Sequence, residues 1–377
     1  MKILINQTYY LPYISGLTLY SARLAEGLAK RGFPVTALAI NHDEALDNYS
    51  EINGVKVIRA NKLISFGKGL VSFAWFFKAV KQIYITDVVI VNVPQPEGWW
   101  VAIWTKLFKK KLIAIYHCDI SLENIWYLKL VESMVQSSSK LLAYLANIIV
   151  TSTKDYADNS KILKNNKHKI VYSLPPIELS KYSNKEFVNV RNKINKRDIF
   201  AVGAVGRWSS EKGYEYLIRA IPDLENSLGK DNFRFVFAGP ESVPGEKGYL
   251  EKIENLIPEY KEYFQFLGRL SNGELSAFYK LIDVLVIPSV NSTESLGMVQ
   301  LEAMLCKTPV VVTDLPGVRI PVKETGMGVV VKVRDPKDLA RGISNVILNK
   351  GTFLKNQNKV DKLMKDNKLD YLIDKII

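Results

Sequence analysis

Short apolar runs rich in Val and Ile recur along the chain, and stretches with helical spacing separate them. Such runs are typical of strands buried on both faces of a parallel α/β sheet. In the amino-terminal half the predicted strands cover residues 2–6, 35–40, 88–93, 112–116, 148–152 and 169–173. In the carboxyl-terminal half they cover residues 200–205, 234–238, 284–288, 309–313 and 328–331. The pattern therefore predicts two α/β units, each built on a parallel sheet.

A polar stretch between the two series of strands predicts a domain boundary. It begins at Pro175 and Pro176 and continues in a segment rich in Lys and Asn, which is typical of a connection between compact units. The 377 residues also exceed the length at which one hydrophobic core stops growing, roughly 250–300 residues. We therefore predict a first domain over residues 1–175, a linker over 176–198 and a second domain over 199–350. The apolar spacing near the end of residues 351–377 predicts a final helix that packs on one of these domains.

Composition excludes several classes of protein. Of the residues, 47% are apolar and 24% are charged, which is typical of a packed globular protein. The two cysteines lie far apart and no Cys/His cluster has metal-ligand spacing, so neither a disulfide framework nor a zinc site is predicted. No signal-peptide pattern follows Met1, and no apolar run approaches the ~20 residues that span a bilayer. We expect a cytoplasmic protein without a membrane span.

The net charge of +13 is concentrated in the amino-terminal half. Residues 1–175 carry 21 Lys or Arg and 12 Asp or Glu, and residues 56–111 alone carry 10 and 2, interleaved with Phe and Trp. Each Lys or Arg beside anionic lipid contributes about 1 kcal/mol, and Trp favours the interface. We therefore predict that residues 56–111 meet an anionic membrane surface, with the protein peripheral on the cytoplasmic face, rather than nucleic acid. The alternative is that the aromatic residues are core and the lysines their solvated rim.

Two cations follow the first predicted strand of the second domain. That strand, residues 200–205, runs into Gly206, Arg207, Lys212 and Gly213. In open α/β sheets ligands bind beyond the carboxyl ends of the strands, so Arg207 and Lys212 could meet a diphosphate there. The alternative is a surface loop with two solvated cations.

Two glutamates follow the predicted strand that ends at Pro288. A helix that begins near Leu296 would direct its free N–H groups at a phosphate, and Gly297 lets that backbone come close. Glu302 lies about two turns into this helix, roughly 10 Å from Glu294 at about 1.5 Å rise per residue. One ligand could therefore reach both carboxylates, which accept hydrogen bonds from sugar hydroxyls. The alternative is that Glu294 caps the helix and Glu302 is solvated.

Together these motifs resemble the family-4 glycosyltransferases with the GT-B fold, in which two Rossmann-like domains face each other across a cleft. The resemblance spans most of residues 200–345. The matching residues are Gly206, Arg207, Lys212, Gly213, Pro288, Ser289, Glu294, Leu296, Gly297, Glu302, Ala303, Met304, Pro309, Val310 and Val311.

The resemblance implies transfer of a sugar, with retention of configuration, from a UDP- or GDP-linked donor. It implies that Arg207 and Lys212 stabilise the departing diphosphate and that Glu294 binds the sugar hydroxyls. Backbone contacts with the donor would come from Gly206, Leu296, Gly297 and Met298, and Glu302 would bind the ribose.

The amino-terminal half matches the family more loosely. Gly16 stands where relatives often have two adjacent glycines, so close approach of this backbone to the donor phosphate rests on Gly16 alone. His117 follows the predicted strand 112–116 and takes the place of the family's active-site histidine, which contacts the transferred sugar. Without the resemblance, a single histidine after a strand is more often structural.

The two cations could neutralise a diphosphate and no Asp-x-Asp motif lies near the proposed site, so we expect no cofactor and no required metal. The expected acceptor is lipid-linked or a saccharide, in glycoconjugate or polysaccharide synthesis.

Two alternatives stay open. A sugar-nucleotide epimerase would need acid and base carboxylates on both faces of the sugar, and a non-catalytic nucleotide-sugar-binding or membrane-associated module would need no chemistry. A dinucleotide dehydrogenase is excluded, because Gly-x-Gly-x-x-Gly does not follow the first strand.

Overall fold

The computed structural model describes residues 1–66, 69–122, 125–194, 199–240 and 247–377. These residues form two compact units. Unit 1 consists of Met1–Pro176 together with Asn367–Ile377, and unit 2 consists of Ile177–Asp366. Each unit has a sheet at its centre with core side chains on both faces.

The strands of unit 1 are β1 (Ile3–Asn6), β2 (Val35–Asn41), β3 (Tyr49–Ile52), β4 (Val55–Asn61), β5 (Ile64–Phe66), β6 (Gly69–Val71), β7 (Val88–Val93), β8 (Lys111–Tyr116), β9 (Ile148–Thr151) and β10 (Ile170–Tyr172). Within the described residues, one sheet has the order β10-β9-β8-β7-β1-β2-β4-β3, and β5 with β6 forms a separate hairpin. The neighbours in the large sheet are parallel except β3 and β4. The chain order reverses between β1 and β7, which makes this pair the topological switch point of unit 1.

Helices cover both faces of this sheet. They are α1 (Gly16–Lys30), α2 (Phe73–Ile85), α3 (Gly98–Leu107), α4 (Trp126–Leu145), α5 (Lys154–Asn159) and the last helix of the chain, α16 (Leu369–Ile376), with 3-10 turns at Leu163–Asn165 and Lys167–Lys169. The buried sides of α2, α3 and α4 share one core cluster, whereas α1 and α16 belong to the cluster on the other face.

The final helix joins unit 1 although the chain before it belongs to unit 2. Leu372, Ile373 and Ile376 are buried in the cluster that contains α1. The guanidinium of Arg31, the C-cap residue of α1, pairs with Asp370 at 2.8 Å and with Asp374 at 2.5 Å. An apolar contact and a forked ion pair therefore attach the carboxyl terminus to the first helix.

The strands of unit 2 are β11 (Phe200–Val205), β12 (Phe233–Ala238), β13 (Phe264–Phe266), β14 (Val284–Ile287), β15 (Val310–Thr313) and β16 (Gly328–Val331). Within the described residues they form one sheet with the order β13-β12-β11-β14-β15-β16, and all neighbours are parallel. Counted within the unit, this is the Rossmann order 3-2-1-4-5-6. The order reverses between β11 and β14, which defines the switch point of unit 2.

The helices of unit 2 are α6 (Asn184–Ile194), α7 (Tyr214–Arg219), α8 (Ile221–Leu228), α9 (Lys247–Leu256), α10 (Asn272–Leu281), α11 (Met298–Leu305), α12 (Ile320–Thr325), α13 (Pro336–Leu348), α14 (Lys350–Leu354) and α15 (Gln357–Asp366), with 3-10 turns at Ser210–Lys212 and Pro258–Tyr263. Helix α6 lies in the segment that the sequence assigns to a linker, and α14 and α15 lie almost wholly in the segment that it assigns to a tail. Val190 and Ile194 of α6 and Val360 of α15 are buried in a core cluster of unit 2. Residues 195–198 of the predicted linker lie outside the described residues.

The predicted α/β class and the strands predicted from apolar runs are confirmed. The runs did not predict β3, β4, β5, β6 and β13. Lys56 and Arg59 interrupt the apolar pattern of β4, and β13 has only three residues, so neither forms a continuous apolar run. Within the described part of the chain, no helix is long and apolar enough to cross a bilayer.

Candidate active site

The predicted donor residues of unit 2 lie on the two loops at its switch point. Gly206, Arg207 and Lys212 follow β11, and the loop that contains Glu294 follows β14. Since β11 and β14 are parallel neighbours, both loops leave the same edge of the sheet. This is the edge at which open α/β sheets bind ligands.

An ion pair joins the two loops. Lys212 Nζ lies 2.5 Å from Glu294 Oε2, and the Ser289 hydroxyl donates a hydrogen bond of 3.2 Å to the same oxygen. The Lys212 and Glu294 side chains are only 19% and 14% exposed. The structure therefore brings together two of the predicted catalytic residues, and Glu294 does not cap the following helix, whose N-cap is Gly297.

Arg207 lies on the same loop but has a different partner. Its guanidinium is 3.2 Å from the Glu211 carboxylate, four residues further along the chain. The side chain is 37% exposed, about twice the fraction of Lys212. Arg207 is therefore the more accessible of the two cations.

The two loops approach at backbone distance. The Val290 N–H donates to the Glu211 carbonyl at 3.0 Å. Gly213 has a φ of +66°, and a Cβ on this residue would collide with the Pro288 carbonyl. Only glycine therefore suits the position after Lys212, because both the backbone angle and the neighbouring loop oppose a side chain.

A small recess lies at the ends of β11 and β14. Lys212 and Ser289 provide polar groups in its lining, next to Val205, Pro288 and Val299. The recess therefore offers a cation and a hydroxyl beside apolar side chains.

The amino terminus of α11 is held in place by a buried glutamine. Gly297 is the N-cap with a φ of +70°, and Met298 is the first helical residue. The Gln300 amide donates to the carbonyls of Leu296 and Val318, the latter at 3.0 Å. The segment 296–298, predicted to contact the donor through its backbone, is therefore fixed from within unit 2.

Glu302 is buried and not solvated. The phenol of Tyr279 donates a hydrogen bond of 2.7 Å to its carboxylate. Burial, together with this carboxylate, raises the pKa of Tyr279 well above its ordinary value. The alternative of a solvated Glu302 is wrong, while the ribose contact implied by the resemblance stays a prediction.

Gly16 opens the first helix of unit 1. Ser15 is the N-cap, and its hydroxyl accepts the Thr18 N–H at 3.2 Å while Thr18 Oγ1 accepts the Ser15 N–H at 2.8 Å. This reciprocal pair fixes the start of α1. Gly16 is thus the first residue of a 15-residue helix whose amino terminus follows the loop after β1, at the unit 1 switch point.

His117 is anchored directly after β8. Its backbone N–H donates to the Val93 carbonyl at 2.8 Å, and its Nε2 lies 2.8 Å from Asn92 Oδ1. The Tyr20 ring packs edge-on with centroids 5.0 Å apart. Burial lowers the pKa of His117 to about 4, so the imidazole is neutral near pH 7. Since an amide oxygen only accepts, Nε2 carries the proton and Nδ1 is left as an acceptor.

Several buried polar residues lie at the same edge of unit 1 and were not predicted as site residues. Asn92 donates from Nδ2 to Gln7 Oε1 at 3.4 Å. Asn6, at the end of β1, is fully buried, and neither side-chain amide atom has a hydrogen-bond partner among the residues that the structure describes. Burial raises the pKa of Glu97, which precedes α3. Buried polar groups need partners, so such a cluster indicates a binding site. The available signal was an Asn inside or at the end of an apolar run.

Within the described residues, no group of three or more His, Cys, Asp or Glu side chains could hold a metal ion. The predicted lack of a metal requirement therefore depends on the cations Arg207 and Lys212. It stays a prediction.

Comparison with known proteins adds to this geometry. The family model described as Glycosyl transferases group 1 matches residues 184–367, and the model described as Glycosyltransferase Family 4 matches residues 14–171. An uncharacterized glycosyltransferase of Methanocaldococcus jannaschii is 29% identical and spans 96% of this chain and 93% of its own length. Alpha-monoglucosyldiacylglycerol synthase of Acholeplasma laidlawii is 24% identical over 83% of this chain and 80% of its own. The crystal structure of Anabaena HepE in complex with UDP-glucose aligns with a TM-score of 0.77 at 16% identity, over 100% of this chain and 98% of that chain.

Proposed function

The chain is a glycosyltransferase that belongs to group 1 and has the GT-B fold, and from this premise we propose that it transfers a sugar with retention of configuration. The donor is a nucleoside diphosphate sugar, linked to UDP or GDP. The acceptor is a hydroxyl of a lipid-linked molecule or a saccharide, in glycoconjugate or polysaccharide synthesis. The family and the enzyme class predicted from the motifs are confirmed.

The pairing of Lys212 with Glu294 at the switch point of unit 2 carries this proposal. A cation and a carboxylate 2.5 Å apart, both mostly buried, offer complementary contacts to the two ends of a sugar phosphate. The Lys212 ammonium would bind the phosphate oxygens. Glu294 would then accept hydrogen bonds from sugar hydroxyls. Arg207, the more exposed cation, would meet the outer phosphate oxygens with its planar donor fork.

In the reaction, the bond between the anomeric carbon and the diphosphate breaks while the acceptor oxygen bonds to the same face of that carbon. The acceptor proton passes to an oxygen of the leaving diphosphate. Negative charge grows on the diphosphate in the transition state, and Arg207 and Lys212 stabilise it from fixed positions. With both cations on the leaving group, no metal is required. Neutral His117 would accept a hydrogen bond from the sugar or acceptor through Nδ1.

Two similar proteins bear on the acceptor and the donor. The Acholeplasma relative is named as a synthase of alpha-monoglucosyldiacylglycerol, and the HepE structure contains UDP-glucose. These names support a lipid-linked acceptor and a UDP-linked donor for this chain. A lipid-linked acceptor would place the protein on a membrane surface, as the basic and aromatic residues of 56–111 also suggest.

The donor site is tested by thermal unfolding with UDP, GDP, ADP, dTDP and their common sugar conjugates. A ligand of the native state stabilises it by RT ln(1 + [L]/Kd). We expect one nucleotide class to raise the melting temperature of the wild type and of Lys350→Ala, but to have little effect on Lys212→Ala or Glu294→Ala. Lys350 is the matched control, since it pairs at 3.1 Å with Asp283 at the amino end of β14, away from the site.

Two results would count against the proposal. If no nucleotide stabilises the wild type, the donor site is wrong and a non-catalytic module becomes the better interpretation. If incubation with a donor yields an isomeric sugar nucleotide without acceptor, the protein is an epimerase. Release of free nucleoside diphosphate only when an acceptor is present supports transfer.

A further inference from the structure

Helix α2 has an apolar outer face as well as an apolar inner face. Trp75, Ala79 and Ile83 are buried in the core. On the opposite side, Phe73, Phe77 and Tyr84 are exposed, and Phe77 is 78% exposed. A surface helix usually turns polar residues outwards, so a helix that is apolar on both sides has a second partner.

The neighbouring helices α3 and α4 also expose apolar side chains on their outer sides. On α3, Trp99 and Leu107 are exposed two turns apart. On α4 the exposed apolar residues fall on one stripe at helical spacing, and the first of them, Trp126, is 80% exposed. The members of the α4 stripe are Trp126, Leu130, Met134, Leu141 and Tyr144.

These three stripes belong to one continuous surface. The inner sides of α2, α3 and α4 share one core cluster on a single face of the unit 1 sheet. Helix α3 contacts α2 on one side and α4 on the other. Their outer sides therefore form one layer, which we name the α2–α4 face. Large contiguous apolar patches on a protein surface mark interaction sites.

The charges on this layer identify its partner. Helices α2, α3 and α4 carry five lysines and one acidic residue, Glu132, which pairs with Lys129 at 2.9 Å. Lys81 and Lys140 are exposed beside the apolar stripes and have no acidic partner within the described residues. Apolar and aromatic side chains next to unpaired lysines suit the interface of an anionic bilayer, into which rings insert while cations meet the headgroups.

We propose that the α2–α4 face docks unit 1 on an anionic lipid bilayer. This inference extends the proposed function, because a lipid-linked acceptor is reached from that surface. It also shifts the predicted membrane region. Trp75 is fully buried and Trp100 packs against the core, so part of the aromatic content of 56–111 is core, and residues 67–68 lie outside the described chain. Helix α4, outside 56–111, supplies much of the face instead.

Two other occupants fit the face less well. A second copy of the chain in a symmetric dimer would place the same lysine-bearing surface against itself, so that like charges would meet. Nucleic acid would leave the aliphatic stripe of Leu107, Leu130 and Met134 without apolar partners, since most protein contacts go to phosphate and sugar. An anionic bilayer satisfies both the lysines and the aliphatic side chains.

The test is flotation of the full chain with phosphatidylcholine vesicles that contain or lack phosphatidylglycerol. We expect binding only to the anionic vesicles, and weaker binding as salt is raised. Lys81→Gln and Lys140→Gln should each weaken the vesicle affinity about fivefold. Leu130→Gln should weaken it about tenfold, because an apolar side chain no longer leaves water.

Matched controls are available in unit 2. Leu348 is 63% exposed and Leu130 is 59% exposed, so Leu348→Gln makes the same chemical change away from the α2–α4 face. Lys362→Gln removes an exposed lysine of α15. Neither control should change the vesicle affinity, and none of the variants should change the nucleotide-dependent thermal shift.

Absence of binding to anionic vesicles overturns the inference, as does equal binding to vesicles without phosphatidylglycerol. A dimer that Leu130→Gln converts to monomers, with unchanged vesicle affinity, would assign the face to a second copy. The nucleotide shift separates this inference from the proposed function. A protein that binds nucleotide but not vesicles keeps its donor site and loses only the docking face.

Discussion

At the residue scale, the two ring nitrogens of His117 differ in their surroundings. Nε2 faces Asn92 Oδ1 at 2.8 Å, and no hydrogen bond to Nδ1 occurs within the described residues. Burial keeps the imidazole neutral, and the Asn92 amide oxygen, by accepting from Nε2–H, fixes the tautomer that leaves Nδ1 as an acceptor. Asn92 therefore acts as a positioning residue for His117, and Gln7 in turn holds the Asn92 amide.

Asn92→Asp should raise the pKa of His117, because a carboxylate beside Nε2 stabilises the imidazolium. The wild-type ring, whose pKa is lowered to about 4, stays neutral above about pH 5. In the variant the ring gains a proton on Nδ1 as the pH falls through the raised pKa, and transferase activity should fall with it. NMR titration of the three histidines, with His117→Gln for assignment, measures the pKa directly.

Asn147→Asp is the control for this experiment. Its side-chain oxygen accepts bonds from the Leu112 N–H and Lys106, and aspartate preserves both. A titration of wild-type His117 near its ordinary pKa would contradict the burial of the ring. An unchanged pKa in Asn92→Asp would contradict the role assigned to Asn92.

At the scale of elements, the loops after β11 and β14 are assembled through Gly213. Gly213→Ala should destabilise the protein by about 1–2 kcal/mol from the left-handed backbone alone. The collision of the new Cβ with the Pro288 carbonyl should lower the free energy of unfolding further. The same collision pushes apart the loops that carry Lys212 and Glu294, so the nucleotide-dependent thermal shift should also fall.

Gly268 separates the two effects. It has the same φ of +66°, but a Cβ there would meet nothing within 4 Å. Gly268→Ala therefore measures the cost of the backbone angle without the collision. If Gly213→Ala and Gly268→Ala lower the free energy of unfolding equally and bind nucleotide equally, Gly213 is not needed for the close approach of the two loops.

The sequence predicted these elements unevenly, for physical reasons. Buried parallel strands such as β11 and β15 are continuous apolar runs, so they could be located to within a residue. Strand β4 mixes Lys56 and Arg59 into its pattern, and helix α6 lies in a polar stretch with few buried positions, so neither gave a signal.

The sequence predicted those parts of the candidate site in which a charged residue directly follows a recognisable strand. Two cations after one strand and a carboxylate after another indicated a phosphate and sugar site, but not that Lys212 would pair with Glu294. Asn6, Gln7 and Asn92 were missed, because a polar residue in a buried strand has meaning only when its neighbours are known. Pairings between distant loops and strands are set by tertiary packing rather than by local sequence.

At the scale of the whole molecule, the chain ends in the unit where it began. Helix α16 packs beside α1, and Leu372, Ile373 and Ile376 contribute to the core of unit 1. Gly27 on α1 makes room for this contact, since a Cβ there would lie 2.6 Å from the Leu369 side chain. The stability of unit 1 therefore depends on residues that are synthesised after all of unit 2.

Leu372→Ala should destabilise unit 1 by about 2–5 kcal/mol, the usual cost of a cavity at a fully buried leucine. Because Leu372 belongs to unit 1 and the donor residues belong to unit 2, nucleotide binding near room temperature should be unchanged. Hydrogen exchange measures the two units separately, and we expect faster exchange in β1, β2 and α1 but not in β14 or β15. Leu348→Ala, at an exposed site of unit 2, is the matched control. Equal acceleration in both units would instead mean that the two units unfold together, and that α16 contributes to the stability of the whole chain rather than to unit 1 alone.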